Sequence, residues 1–429
     1  MSGGSPIPSN GAERGAVGQL VRLFTGGILP RTFAALRSRN FRLYWFGNAV
    51  SLIGTWMQNV ARGWLVLQLT NSPFLVGLET SITWLPSLFF TLPAGVVADH
   101  VNKRNLLVVT QSLFAGLALA LAVLYWTGVI SIGHILVISA VSGVIAAIES
   151  PVRLAIVSEL VGRDRILNAV ALNSAIFNAA RILGPSVAGV ALGTIGAGGC
   201  FAINSASFLA IILALGFVRL EHVPPEPTGE TVWQRILAGL RYVGRHRDIR
   251  VLMVMIAVFS SFGIVYLPLM PVFARDVFGA GPGGYGVMMA SLGVGALAGV
   301  LVLATLSHTR HRGRILVGGT ALLGLLLIVY GLVRDFRTAT LVLVALGFCQ
   351  SSVASLTNSI IQELAPAEFR GRVMSVYSFS FNGVYPLGSL LGGTIAQKWG
   401  APASALLGGG VVLTSLVLVN VLRPQIRKL

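Results

Sequence analysis

Four ionisable side chains lie inside long apolar stretches of this 429-residue sequence: Arg62, Glu79, Glu149 and Arg181. At the centre of a membrane-spanning helix, a charged residue costs roughly 2.5–3.5 kcal/mol on insertion scales. Such a residue therefore normally has a partner of opposite charge or faces a water-filled cavity. We expect each of the four to form an ion pair or to line a polar site.

Arg62 and Glu79 stand at similar depths on either side of a short turn, at the end of one apolar segment and the start of the next. This spacing predicts that they are neighbours and form an ion pair. If the pair opens and closes, Glu79 could bind a proton. A static pair, or an Arg62 that extends to the membrane surface, explains the same pattern equally well.

Glu149 and Arg153 are one helical turn apart, a spacing that favours an ion pair on a helix. Arg181 comes shortly before Gly184 and Pro185 in another apolar segment. Its side chain could reach a cavity and bind an anionic or catecholate group, or it could pair with Glu149.

The sequence lacks the patterns that enzymes require. It has no nucleophile–base pair, no phosphate-binding glycine loop and no His/Cys cluster. Its two cysteines, Cys200 and Cys349, stand in apolar runs and suggest neither a disulfide framework nor a metal site. We therefore predict that the protein is not an enzyme and uses neither cofactor nor metal.

The composition predicts an all-α membrane protein. Hydrophobic residues make up 55% of the chain and charged residues only 10%, whereas soluble domains carry about 25% charged residues. A spanning helix needs about 20 mostly apolar residues. Twelve segments meet this need: 43–70, 74–98, 105–126, 131–151, 166–193, 198–220, 250–275, 284–306, 313–333, 338–363, 371–397 and 401–423.

The distribution of the 31 Lys and Arg residues predicts the orientation. Apart from Arg62 and Arg181, nearly all lie in the two tails or in the loops after even-numbered segments. The exceptions are Arg275, Arg334, Arg337 and Lys398. Because cytoplasmic loops are rich in Lys and Arg, both termini are predicted to be cytoplasmic. Nucleic-acid binding is not expected, since it would need a basic soluble domain.

The longest polar stretch divides the chain into five predicted parts. Residues 1–40 and 424–429 form cytoplasmic tails, 41–220 and 250–423 form two six-helix bundles, and 221–249 link them. In the link, a proline-rich piece precedes apolar residues at helical spacing, with arginines among them. That pattern is typical of an amphipathic helix on the membrane surface; a flexible linker is the alternative.

A shift of 204 residues aligns parts of the two predicted bundles. It places residues 155–160 on 359–364, and it aligns Gly184 with Gly388 and Gly189 with Gly393. Duplicated six-helix halves are typical of secondary transporters that rock around a central site.

The loop between segments 2 and 3 reads PAGVVADHVNKR over residues 93–104. It resembles the Gly-x-x-x-Asp-Arg-x-Gly-Arg-Arg loop of the Major Facilitator Superfamily. Gly95, Asp99, Lys103 and Arg104 match, whereas positions 100 and 102 hold His and Asn instead of Arg and Gly. In that family, the acidic residue docks on the second half and latches the outward-facing state. The resemblance gives Asp99 this role, and the candidate partners before segment 11 are Arg370 and Arg372.

Other stretches are similar to the enterobactin-exporter branch, also called transmembrane secretion effectors. They include GTWMQNVA at 54–61, ESPVR at 149–153, NAARILGP at 178–185 and FRGRVMS at 369–375. The branch implies export of drugs or siderophores, driven by proton entry, by a monomer in a bacterial inner membrane. The resemblance also makes Glu149 and Arg153 a gate or packing element, and gives Gly184 and Pro185 a structural role in helix contacts.

By analogy with the family, segments 1, 4, 7 and 10 should line the cavity. Nine residues on segments 1, 7 and 10 are candidates to contact substrate: Asn48, Gln58, Asn59, Phe259, Phe262, Tyr266, Gln350, Ser351 and Asn358. An apolar, aromatic wall with few polar groups suits amphiphilic cargo.

Three functions follow as hypotheses. The first is a proton-coupled exporter of small amphiphilic molecules. The second is an importer or lysophospholipid flippase with the same fold. The third is a membrane sensor that transports nothing, although a sensor should also carry an output domain.

Overall fold

The computed structural model describes residues 33–218, 232–305 and 311–428. The side chains at 92–100, 163, 232–236, 304–305 and 428 are outside this description. So are residues 1–32 of the predicted tail, the proline-rich piece of the predicted link and Leu429.

Helices occupy all twelve predicted segments, and the described residues contain no strand. The first six helices are α1 (Arg39–Thr70), α2 (Pro73–His100), α3 (Lys103–Trp126), α4 (Ile132–Glu159), α5 (Ile166–Thr194) and α6 (Gly196–Phe217). A linker helix, Val232–Arg245, follows. Next comes α7, which consists of Arg247–Val258, Phe259–Gly263, Met270–Val272 and Phe273–Val277. The remaining helices are α8 (Pro282–Thr305), α9 (Arg312–Leu332), α10 (Phe336–Leu364), α11 (Arg370–Ser378, Phe379–Gly383 and Tyr385–Trp399) and α12 (Ala401–Leu422).

Within the described residues, nine of these helices are long and apolar enough to cross a membrane. The other three are α1, which carries Asn, Gln and Arg side chains along its length, and the interrupted helices α7 and α11. Phe259–Gly263 and Phe379–Gly383 are π-helical turns, in which one residue is added to a helical turn. Hydropathy did not predict these breaks, because a π turn changes the hydrogen-bond pattern and not the polarity.

Polar residues fix several helix starts. Ser38, Asn102 and Asp335 each accept a backbone N–H three residues further on, which satisfies a donor that the helix leaves free. Asn71 ends α1 in the left-handed conformation, with φ 49°. The twelve helices then alternate in direction. We call the end with Ala34–Arg37 and Pro424–Lys428 the terminal end, and the end with Asn71 the far end.

The glycines of the repeat make equivalent contacts. A Cβ on Gly184 of α5 would lie 2.9 Å from the Ile53 carbonyl of α1, and one on Gly388 of α11 would lie 2.5 Å from the Ser261 Cα of α7. One turn or more further on, Gly189 meets α8 and Gly393 meets α2 at similarly short distances. The pairs α5–α8 and α2–α11 therefore join residues 39–217 to residues 247–422 by close backbone contact.

Hydrogen bonds between these two parts lie at the far end, as far as the structure describes them. Arg275 Nη1 donates to the Leu67 carbonyl at 3.2 Å and to Asn71 Oδ1 at 2.7 Å. Gln397 Oε1 accepts from Ser72 Oγ at 2.8 Å and from the Phe74 N–H at 3.3 Å. These contacts close the far end.

Candidate functional site

A buried polar cluster surrounds Glu79, where α1, α2 and α4 meet. Arg62 Nε lies 2.7 Å from Glu79 Oε1, and the two residues are only 6% and 4% exposed. The same carboxylate oxygen accepts from Ser139 Oγ at 2.9 Å and from Thr83 Oγ1 at 3.0 Å. Arg62 also donates to Asn59 Oδ1 at 3.3 Å. We call these five residues the Glu79 cluster.

Tyrosines of the second bundle face this cluster. The hydroxyl of Tyr285 of α8 would lie 3.5 Å from a Cβ on Gly63, the residue after Arg62, and the ring of Tyr385 of α11 packs edge-on against Trp84 of α2, with centroids 5.8 Å apart. The Tyr285 ring stacks on Trp64, with centroids 6.1 Å apart. The surroundings of Glu79 therefore include both bundles, so they change if one bundle moves relative to the other.

A second buried cluster surrounds Glu149, nearer the terminal end. Both Arg153 Nε, at 2.8 Å, and Arg153 Nη2 bond to Glu149 Oε1. Gln111 Nε2 donates to the other carboxylate oxygen at 2.8 Å. Arg153 Nη1 donates to Asn48 Oδ1, and Ser51 Oγ donates to Gln111 Oε1 at 3.3 Å. This cluster belongs entirely to the first bundle.

Arg181 has a different environment. Its side chain is half-buried in α5, and no described residue forms an ion pair or hydrogen bond with it. The predicted alternative, a pair with Glu149, does not form, because Arg153 and Gln111 occupy that carboxylate. The groups within electrostatic range of Arg181 are the phenols of Tyr266 and Tyr385. The Tyr266 hydroxyl donates to Gln350 Oε1 at 3.1 Å.

The other predicted cavity residues take several positions. Asn59 is exposed beside Arg62, and Asn48 belongs to the Glu149 cluster. Gln58 accepts a hydrogen bond from Asn204 of α6 at 2.8 Å, which places it in a helix contact. Ser351 likewise donates to the Ala296 carbonyl of α8 at 2.8 Å. Asn358 accepts from Gln362 one turn closer to the terminal end.

The two predicted phenylalanines lie in the π turn of α7. The ring of Phe259 is buried and stacks on Phe381 of the equivalent turn in α11, with centroids 6.1 Å apart. The Phe262 carbonyl packs against α12, where a Cβ on Gly408 would approach it to 2.5 Å. These residues shape the second bundle at its interrupted helices.

The predicted latch is described only in part, because Gly95 and Asp99 lie outside the described side chains. Lys103 Nζ lies 2.7 Å from Glu159 Oε1. Arg104 donates to the last carbonyls of α6, those of Leu215 and Gly216, at 2.7 and 2.9 Å.

On the other side of the predicted latch, Arg370 Nε donates to the Gln362 carbonyl at 3.1 Å. The guanidinium of Arg372 lies over the Phe369 ring, 5.4 Å from its centre. That ring also stacks on Tyr242 of the linker helix, with centroids 4.6 Å apart. The linker helix is thereby held against the start of α11.

Sequence reasoning missed Ser139, Gln111, Tyr285 and Tyr385. Ser139 and Gln111 gave no signal, because uncharged polar residues are common in such helices. Tyr385 did have one: the shift of 204 residues that aligns Gly184 with Gly388 also aligns Arg181 with Tyr385. The described residues contain no group of three or more His, Cys, Asp and Glu that could hold a metal ion.

Comparisons with known proteins agree with the fold. A multidrug efflux pump, Tap of Mycolicibacterium fortuitum, is 26% identical over 415 residues, covering 94% of this chain and 97% of its own. A staphyloferrin A transporter of Staphylococcus aureus is 27% identical, covering 83% of this chain and 90% of its own. The crystal structure of a mutant nucleoside transporter NupG superposes with a TM-score of 0.73 at 11% identity, covering 90% and 99% of the two chains.

The fold, the full-length relatives and the sequence family lead to one assignment. The sequence model of the family described as transmembrane secretion effector matches residues 30–428. This chain therefore belongs to the transmembrane secretion effectors, a branch of the Major Facilitator Superfamily of membrane transporters.

Proposed function

We propose that this transporter exports small amphiphilic organic molecules, of the drug or siderophore type, in exchange for protons. Family membership makes it a multi-pass inner-membrane transporter of small molecules. Relatives described as a multidrug efflux pump and a staphyloferrin A transporter support export as the direction. The basic residues at the terminal end support cytoplasmic termini. With that orientation the structure is closed on the outside, and the working unit is a monomer.

The observation that carries the proton coupling is the position of Glu79. Its carboxylate is buried against Arg62, and Tyr285 of the second bundle packs beside that arginine, with its ring stacked on Trp64 and its hydroxyl 3.5 Å from where a Cβ on Gly63 would lie. A buried ionised carboxylate needs its charged and hydrogen-bonding partners, because desolvation without them costs several kcal/mol. When the bundles rock and part of this shell withdraws, protonation of Glu79 becomes the less costly alternative. Proton uptake and conformation are then linked.

The Glu149 cluster is the second candidate for coupling or gating. Arg153, Gln111 and Asn48 hold it within the first bundle. In the described part of the chain, no ring of the second bundle is stacked beside this cluster, whereas Tyr285 is stacked on Trp64 beside the Glu79 cluster. We therefore expect the surroundings of Glu149 to change less during rocking. We therefore assign proton binding to Glu79 and a structural or gating role to Glu149.

The test is transport in proteoliposomes with three labelled aromatic probes: anionic 2-naphthalenesulfonate, neutral 2-naphthalenesulfonamide and cationic ethidium. For the wild type, at least one probe should show counterflow and should accumulate against a proton gradient. Glu79→Gln should keep counterflow, which needs no gradient, and lose the response to the gradient. Glu79→Gln leaves Arg62 without its carboxylate partner. The double variant Arg62→Gln, Glu79→Gln removes that arginine as well, and it should also keep counterflow and lose the response to the gradient.

Glu363→Gln is the matched control. It also removes one carboxylate that is paired with a cation, Arg312, but this carboxylate is largely exposed, and the gradient response of the variant should equal that of the wild type. An unchanged gradient response in both Glu79 variants would refute the coupling. Absence of counterflow for all three probes would contradict the substrate class, and accumulation only in the inward direction would favour the importer alternative.

A further inference from the structure

Arg181 is the membrane-buried arginine whose charge the described residues leave unmatched. Arg62 lies against Glu79 and Arg153 against Glu149. Both carboxylates are already engaged, by Ser139 and Thr83 in one case and by Gln111 in the other. In the described part of the chain, neither carboxylate forms an ion pair or a hydrogen bond with Arg181, although a cation in a spanning helix normally has an anionic partner or a wet cavity.

Arg181 has an equivalent position in the second half of the repeat. Tyr385 is its equivalent under the shift of 204 residues, and the two side chains are within electrostatic range of each other. Both precede the glycine that brings the helix against its neighbour, Gly184 in α5 and Gly388 in α11. A guanidinium of one bundle and a phenol of the other thus occupy equivalent positions and lie within electrostatic range of each other, which defines one place between the bundles.

The surroundings of this place add aromatic surface. Trp84 of α2 packs edge-on against Tyr385, with centroids 5.8 Å apart, and its side chain is 44% exposed. On the other side, Tyr266 is buried and directs its hydroxyl proton to Gln350. A planar guanidinium presents its N–H donors in a fork that matches an oxyanion, and an aromatic face next to it suits a flat apolar group.

We propose that Arg181 and Tyr385 form a subsite that binds the acidic group of an aromatic amphiphile, with Trp84 contacting its ring. This inference rests on the proposed function, because it names the chemical class of the cargo. Arg181 supplies the charge-assisted hydrogen bonds, and the Tyr385 hydroxyl donates one more. The cargo's anion thereby replaces the partner that the described part of the chain does not provide.

Binding to the purified protein in phosphatidylcholine nanodiscs tests the subsite without transport. The probes are 2-naphthalenesulfonate and its uncharged sulfonamide. Binding is followed by the change in tryptophan fluorescence, and the contribution of Trp84 is the part of that change that is absent in Trp84→Phe. The wild type should bind the sulfonate about tenfold or more tightly than the sulfonamide, since hydrogen bonds to charged groups add this much affinity. Arg181→Gln should abolish the preference and leave sulfonamide binding unchanged. Tyr385→Phe should reduce the preference by a smaller factor.

Three results would overturn the proposal. The first is a sulfonate preference that persists in Arg181→Gln. The second, if that variant does not fold, is a preference unchanged in both Arg181→Lys and Tyr385→Phe, since Lys lacks the planar fork. The third is loss of the preference when phosphatidylglycerol is added, which would assign the subsite to a lipid headgroup. Arg334→Gln, at the far end, is the control and should keep the preference.

This experiment fails independently of the coupling test. If the wild type prefers the sulfonate and Arg181→Gln loses this preference, but Glu79→Gln retains the response to the proton gradient, only the proton site is refuted. If transport is coupled to protons through Glu79, but Arg181→Gln keeps the sulfonate preference, only the anion subsite is refuted.

Discussion

Removing one member of the Arg62–Glu79 pair should destabilise the protein more than removing both. In Glu79→Gln, the new amide is close in shape to the carboxylate and can still accept from Ser139 and Thr83. What remains uncompensated is the charge of Arg62, which is 6% exposed and has one further bond, to Asn59. Leaving a buried charge without its partner costs about 3–5 kcal/mol.

The double variant with Gln at both positions carries no unpaired charge. Removing one member of a buried ion pair is costly because it leaves an uncompensated buried charge, and the Gln–Gln pair leaves none. We therefore expect each single variant to lose about 3–5 kcal/mol of unfolding free energy, and the double variant to lose less than either single variant. Glu159→Gln, in a more exposed pair, should lose about 0–1 kcal/mol.

Unfolding in mixed micelles with increasing dodecyl sulfate, followed by tryptophan fluorescence, gives the four free energies of the cycle. A double variant whose loss equals the sum of the two single losses would refute the reasoning, because it would mean that the two charges do not interact. If either single variant of the Arg62–Glu79 pair loses as little unfolding free energy as Glu159→Gln, the assumption that water does not reach this pair would be refuted.

Three further predictions use the same unfolding assay or a distance measurement. Gly189→Ala should lower the free energy of unfolding by about 1–3 kcal/mol, because the new Cβ would lie 3.1 Å from the backbone of α8. Gly193→Ala, in the same helix, has nothing within 4 Å of its Cβ and should not lower it. An equal loss in both variants would refute the steric argument. Glu149→Gln should lower the free energy of unfolding by about 1–3 kcal/mol, because it weakens the hydrogen bonds to Arg153. An unchanged free energy of unfolding would mean that water reaches the Glu149 cluster. Arg275→Ala removes hydrogen bonds that close the far end, so spin labels on the α3–α4 and α9–α10 loops should show a larger population at long distance; an unchanged distribution would show that these bonds do not hold it shut.

Short-range features of the site could be predicted from the sequence. Arg62 and Glu79 are separated by a short turn, so two helices of opposite direction bring them to the same depth. Glu149 and Arg153 share a face by helical periodicity alone. The all-α membrane fold followed from composition and from the lengths of the apolar segments.

Features that depend on how distant helices rotate against each other could not be predicted. The hydrogen bond from Gln58 to Asn204 turns a predicted cavity residue into a packing residue, and nothing in the sequence of α1 specifies which of its polar residues face α6. The exclusion of Arg181 from Glu149 depends on Gln111 of α3, a residue without a distinctive pattern. The π turns of α7 and α11 follow from local backbone geometry that hydropathy does not encode.

The glycine contacts between α5 and α8, and between α2 and α11, have a consequence for turnover. Because backbone meets backbone at these glycines, the bundles can pivot there without a large side chain moving between neighbouring grooves. Among the described contacts between the bundles, the resistance to this movement then comes from the ring contacts of Trp64 with Tyr285 and of Trp84 with Tyr385, and from the hydrogen bonds of Arg275 and Gln397. The speed of the cycle should thus respond to substitutions at these side chains.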